Sequence, residues 1–143
     1  MEEQLYILEY EKLQDFMLGG KADFVIVNKN NEHRINYIIK KFPYNDNKFK
    51  VSYKSHIKID IGYIVLESQN IISFQSIDFK HLAILSKERA ETFKGLFNFV
   101  FVRNMIPNNV SVCYTGRCSI CGRKLTDPEY IRIGIGKKCL EEM

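Results

Sequence analysis

The chain has 143 residues, 45% hydrophobic and 27% charged, with a net charge of +4, the size and make-up of one ordinary globular domain able to bury its own core. No apolar run reaches the roughly 18 to 20 residues that a helix needs to cross a bilayer, which excludes a helical membrane protein. The acidic start, Met-Glu-Glu-Gln, lacks the positive region of a signal peptide, so a cytoplasmic protein is expected.

Residues 4–18 are densely apolar, with Leu5, Leu8, Leu13, Phe16 and Met17 at near-helical spacing before Gly19-Gly20. A glycine-stopped helix is the first reading, and a short strand at Leu5–Leu8 leading into a helix over 11–18 is the alternative. The period then changes to that of strands. Residues 22–28 and 34–40 flank the turn residues Lys29-Asn30-Asn31-Glu32 and predict a β-hairpin. Residues 42–47, with Pro43 and an Asn/Asp cluster, predict a loop. Further strands are expected at 48–53, 61–66 and 71–74, too closely spaced for helical crossovers and so antiparallel.

Ser86 is expected to cap a helix with Glu88 in its first turn. Ala90, Phe93, Leu96, Phe97, Val100 and Phe101 form its apolar stripe, expected to pack on the sheet, and Pro107 closes it. Residues 110–114 read as a last strand leading to the cysteines. The expected fold is therefore α+β: a small antiparallel sheet, one packed amphipathic helix and a C-terminal zinc finger of zinc-ribbon or treble-clef type. An α+β domain over 1–109 and a zinc-binding module over 110–143 are the expected divisions.

All four cysteines, Cys113, Cys118, Cys121 and Cys139, lie in the last 31 residues. Disulfides are rarely kept in the cytoplasm, which moves them towards metal or redox use. Zinc takes four thiolate or imidazole ligands in a tetrahedron, and Cys118-Ser-Ile-Cys121 offers two from one turn. Gly122 permits the positive φ that curls backbone around a metal. Thr126-Asp127-Pro128-Glu129 has the grammar of a helix start, and Gly134-Ile135-Gly136 can turn Cys139 back to the site. Cys113 is the leading fourth ligand, with His33, His56, His81 and Asp127 as alternatives. A small buried hydrophobe is the other reading of Cys113. A redox Cys-x-x-Cys should open a helix in a thioredoxin-like setting, whereas this pair follows a strand and precedes Gly-Arg-Lys.

Residues 116–139 resemble the C-terminal module of a family of uncharacterised phage and prophage proteins. The shared residues are Gly116, Arg117, Cys118, Cys121, Gly122, Arg123, Leu125, Thr126, Asp127, Pro128, Gly134, Ile135, Gly136 and Cys139. Tyr130 replaces the usual serine, and Lys137 stands where proline is common. The resemblance extends weakly upstream through Gly20-Lys21-Ala22-x-Phe24, the hairpin and the helix after Ser86. It implies phage or mobile-element origin, hence a host-cell cytoplasm, and a zinc site; it carries over no catalytic activity.

Charge is uneven: residues 19–60 hold nine bases against four acids, and residues 113–143 six against four. Arg117, Arg123, Lys124, Arg132, Lys137 and Lys138 surround the proposed finger and can contact phosphates. Lysines and aromatics also alternate from Lys48 to Lys54, a pattern that suits stacking on single strands or, equally, a strand whose aromatics enter the core. Nucleic-acid binding by a structural zinc module is the first functional expectation. The alternative is a protein-binding inhibitor of a host defence enzyme. No small-molecule substrate is expected. An enzyme is the weakest reading: none of the three histidines sits in a catalytic motif. Gly134-x-Gly136 is too short for a phosphate loop, and no His-x-Glu of a zinc deaminase precedes Cys118.

Overall fold

From Lys21 onward, branched and aromatic residues alternate with polar ones, and the chain forms a meander of strands there. The computed structural model describes residues 4–68, 71–77 and 83–143. Its strands are β1 (Tyr6–Ile7), β2 (Lys21–Asn28), β3 (Arg34–Phe42), β4 (Asn45–Lys54), β5 (Lys58–Ser68), β6 (Ile71–Ser76) and β7 (Val110–Tyr114). They form one seven-stranded sheet in the order β1-β7-β2-β3-β4-β5-β6, with every neighbouring pair antiparallel. The fold is thus α+β, with a larger sheet than expected.

Alternation places Ala22, Phe24, Tyr37, Ile39, Phe49 and Val51 in the core, all at most 2% exposed. Two helices cover that face, α1 (Leu13–Met17) and α2 (Ile84–Phe97). Phe16 of α1 meets Phe24 and Tyr114 edge-on, at 6.3 and 5.3 Å between centroids. Phe93 of α2 packs on Tyr37 at 5.2 Å and on Phe74 at 4.9 Å. The α2 stripe of Ala90, Phe93, Leu96 and Phe97 is buried, as its spacing predicts. Among the described residues, no helix is long and apolar enough to cross a membrane.

Three local expectations change. The chain opens as the alternative reading has it, with a short strand, β1, leading through a 3-10 turn over Tyr10–Lys12 into α1, and not with one long helix, because β7 supplies an edge for Tyr6 and Ile7 to pair with. The loop over 42–47 contracts to Pro43-Tyr44: Phe42 already pairs with Asn45, so Asn45, Asp46 and Asn47 lie in β4. Val110–Tyr114 is the last strand, as expected, and sits inside the sheet between β1 and β2. Ser86 does not cap α2, which begins at Ile84 after Ala83. Ser86 is buried, and its Oγ lies 2.9 Å from the Tyr53 hydroxyl. Ser86→Ala should therefore strand that hydroxyl and cost about 1–2 kcal/mol in urea unfolding.

Beyond Phe97 the helix widens into a π turn over Asn98–Val102. There the Val100 carbonyl accepts from Gln14 Nε2 at 2.8 Å, which ties α1 to the π turn that continues α2. The aromatics of the Lys48–Lys54 stretch, Phe49 and Tyr53, point into the core and cannot stack on a ligand.

Candidate metal centre

After β7, glycines and a hairpin bridge bend the chain back on itself. Arg117 bridges Lys124, the Leu125 N–H donates to the Gly116 carbonyl at 2.7 Å, and the Cys118 N–H donates to the Arg123 carbonyl at 2.9 Å. Between these strands the Gly122 N–H closes on the Cys118 carbonyl at 2.9 Å, and Gly122 adopts φ +79°. That turn presents Cys118 and Cys121 side by side. The chain then enters α3 (Pro128–Ile131), capped by Asp127, whose Oδ1 accepts from the Glu129 N–H at 3.0 Å. The expected helix grammar is thus realised. Gly134 turns the chain into α4 (Lys137–Glu141), an element not anticipated from sequence, and α4 carries Cys139.

The sulfurs of Cys118, Cys121 and Cys139 all lie within 4.8 Å of one another, close enough to hold a metal ion. Tetrahedral thiolates on zinc sit about 3.8 Å apart, so small adjustments close the set. The donor chemistry also fits a cation. Cys118 is 1% exposed, and its Sγ accepts backbone N–H groups from Ile120 and Gly136, each at 3.4 Å. Burial pushes the Cys118 thiol up, but the N–H groups of Gly136, Cys121 and Ile120 outweigh it and hold the thiol below its ordinary value. Burial and the two neighbouring thiols push Cys139 up to about 12. All four cysteines are free thiols.

Cys113, the leading fourth ligand from sequence, is not part of this cluster. Its neighbours Val112 and Tyr114 point into the core, so strand alternation turns Cys113 to the opposite sheet face, opposite Val25 and Ile7. Burial raises its thiol, as for the small hydrophobe that was the other reading. Asp127 is occupied as a helix cap, His33 lies in the β2–β3 turn and His56 in the β4–β5 turn. His81 lies outside the described residues. Glu142, which sequence reading missed, lines the same groove as Cys121 and Cys139. Its signal was the three-residue spacing from Cys139, which puts both on one helix face.

The module is fastened to the sheet at several points. The Tyr114 hydroxyl donates to the Ile131 carbonyl, the Lys21 N–H to the Ser119 carbonyl at 2.7 Å, and the Glu9 N–H to the Arg132 carbonyl at 3.0 Å. Of the six bases expected to face a partner, Arg123, Lys124, Lys137 and Lys138 line the groove of about 370 Å³ beside Cys121 and Cys139. Arg117 lines a neighbouring groove of about 230 Å³ with Lys124, Tyr6 and Thr115. Arg132 is turned away to Glu9 and Glu11, and its hydrogen bond holds the Glu11 carboxyl below the usual range.

Fold and site together define an α+β protein with a C-terminal three-cysteine cluster able to hold a metal. Residues 114–143, the segment that carries the cluster, match a family of unknown function (DUF6011). No curated protein and no solved structure matches the chain.

Proposed function

We propose that the chain is a non-enzymatic, zinc-binding accessory protein of phage or mobile-element origin that binds nucleic acid. In this reading Cys118, Cys121 and Cys139 hold a structural zinc of zinc-finger type, and Glu142 lines the same groove. The observation that carries it is the groove in which Arg123, Lys124, Lys137 and Lys138 stand beside Cys121 and Cys139. Folding the module is what brings these charges together, so the metal orders the surface and the cations meet the phosphates. Three thiolates brought together by two turns and a short helix, beside a strand-and-helix core that stands apart from them, favour an ion that orders the module. The phage origin rests on the resemblance of residues 116–139.

Affinity for a labelled oligonucleotide should fall steeply with salt. Lys137→Ala with Lys138→Ala should reduce the slope of log affinity against log salt by about 1.4 to 1.8, two phosphate contacts' worth. Weak binding that ignores salt would sink this reading. It would favour the alternative, an inhibitor of a host defence enzyme, which predicts a stoichiometric complex with a protein and no nucleic acid.

A further inference from the structure

The sheet face turned away from α1 and α2 carries a row of charge that folding alone does not reward. In the register of the sheet, Lys21 stands opposite Lys40, Lys40 opposite Lys50, and Lys50 opposite Tyr63. Strands lie about 4.8 Å apart, so this transverse row is about 14 Å long. Like charges directly opposite one another destabilise a sheet, and here two such pairs follow in succession. Both acids nearby are engaged. Asp60 sits 3.7 Å from Lys50 and accepts from Ser52 Oγ at 2.7 Å; Asp23 accepts from Asn36 Nδ2 at 2.8 Å. Among the described residues, no carboxylate pairs with Lys21 or Lys40.

Two partly exposed rings adjoin the row. Phe42 and Tyr63 lie 5.9 Å apart, and Lys48 Nζ sits over both, at 5.2 and 4.6 Å from their centroids. Lys40, Lys41, Phe42, Pro43 and Lys50 line a shallow groove of about 250 Å³. At its other end the row runs into the metal module. Lys21 is bonded to Ser119 through its backbone, and its side chain passes Gly122, where a Cβ would lie 3.8 Å from Lys21 Cδ.

We infer that this row is a track for single-stranded nucleic acid, continuous with the basic groove at the cysteines. It rests on the nucleic-acid reading above and specifies the strand state and the surface. Lysines at the strand repeat bind successive phosphates, and the rings of Tyr63 and Phe42 offer stacking faces to unpaired bases once the Lys48 ammonium over them turns to a phosphate. An acidic peptide would engage the lysines but have no use for the rings.

The test is fluorescence anisotropy of the metal-loaded 143-residue chain with a labelled oligothymidine and with a duplex of equal length. The wild type should prefer the single strand. Lys40→Gln with Lys50→Gln should weaken single-strand binding about tenfold or more and lower the salt slope by about 1.4, with an unchanged or raised melting midpoint. The double arginine variant, Lys40→Arg with Lys50→Arg, should restore binding. Tyr63→Ala should cost about tenfold with little change in slope, and Tyr63→Phe should bind as the wild type.

If the glutamine and Tyr63→Ala variants bind normally while Lys137→Ala with Lys138→Ala does not, the track is overturned and the groove reading stands. Equal affinity for duplex and single strand, or for polyglutamate and oligothymidine, also overturns the track. Absence of any binding by the wild type overturns both readings.

Discussion

Cys118→Ser is expected to release the metal and lower stability by about 4 kcal/mol or more. Cys118 is the most buried of the three clustered thiols, and it collects both backbone N–H contacts to sulfur. Its loss leaves two sulfurs, too few to hold an ion in the turns that bring the three together. Hydrogen exchange should show residues from about 115 onward losing protection, because their backbone bonds depend on the turn from Cys118 to Gly122. Strands β2 to β5 should stay protected, since Phe24, Tyr37, Ile39 and Val51 form a core without the module. Cys113→Ala should keep a full equivalent of metal, because Cys113 faces the other side of the sheet. Elemental analysis of both variants checks the assignment. Metal retained by Cys118→Ser, or lost from Cys113→Ala, would assign the ligands differently.

Gly134→Ala should destabilise the protein by about 2–5 kcal/mol, the sum of a left-handed non-glycine residue and an overpacked contact. Gly134 has φ +77°, and a Cβ there would drive into the Phe16 ring, reaching 2.6 Å from its Cε2 and 2.9 Å from Leu8 Cδ2. Phe16 cannot yield, because it is fully buried against Phe24 and Tyr114. The Gly134 carbonyl also accepts the Ser119 N–H at 3.1 Å, so the strain reaches the residue beside Cys118. Weaker metal affinity should accompany the loss of stability. Gly95→Ala is the control: it lies inside α2 with nothing within 4 Å of the new Cβ, and should stabilise by about 1 kcal/mol. Urea unfolding of the two variants should move in opposite directions. A tolerated Gly134→Ala would mean that the module does not wedge against Phe16 in solution.

Features governed by local chemistry were legible in the chain itself. Alternation over residues 22–28 and 34–40 marked the first hairpin, the stripe from Ala90 to Val100 marked α2, and Asp127-Pro128-Glu129 marked α3 with its cap. The three clustered cysteines were legible too, because a Cys-x-x-Cys turn followed by glycine leaves the backbone few other uses. The lysines of β4 were visible, but whether their aromatic neighbours faced solvent was not.

What only the tertiary structure decided depended on partners distant in sequence. Tyr6–Ile7 became a strand because β7, more than a hundred residues later, offered it an edge. Ser86 left its expected cap because Tyr53 waited across the core. The expected fourth ligand and the expected contact residue Arg132 moved for the same kind of reason. Pairing with β2 fixed which face Cys113 shows, and Glu9 and Glu11 captured Arg132. Register likewise aligned Lys21, Lys40 and Lys50 in one row, since a cross-strand neighbour is set by hydrogen bonding between strands and not by spacing within one.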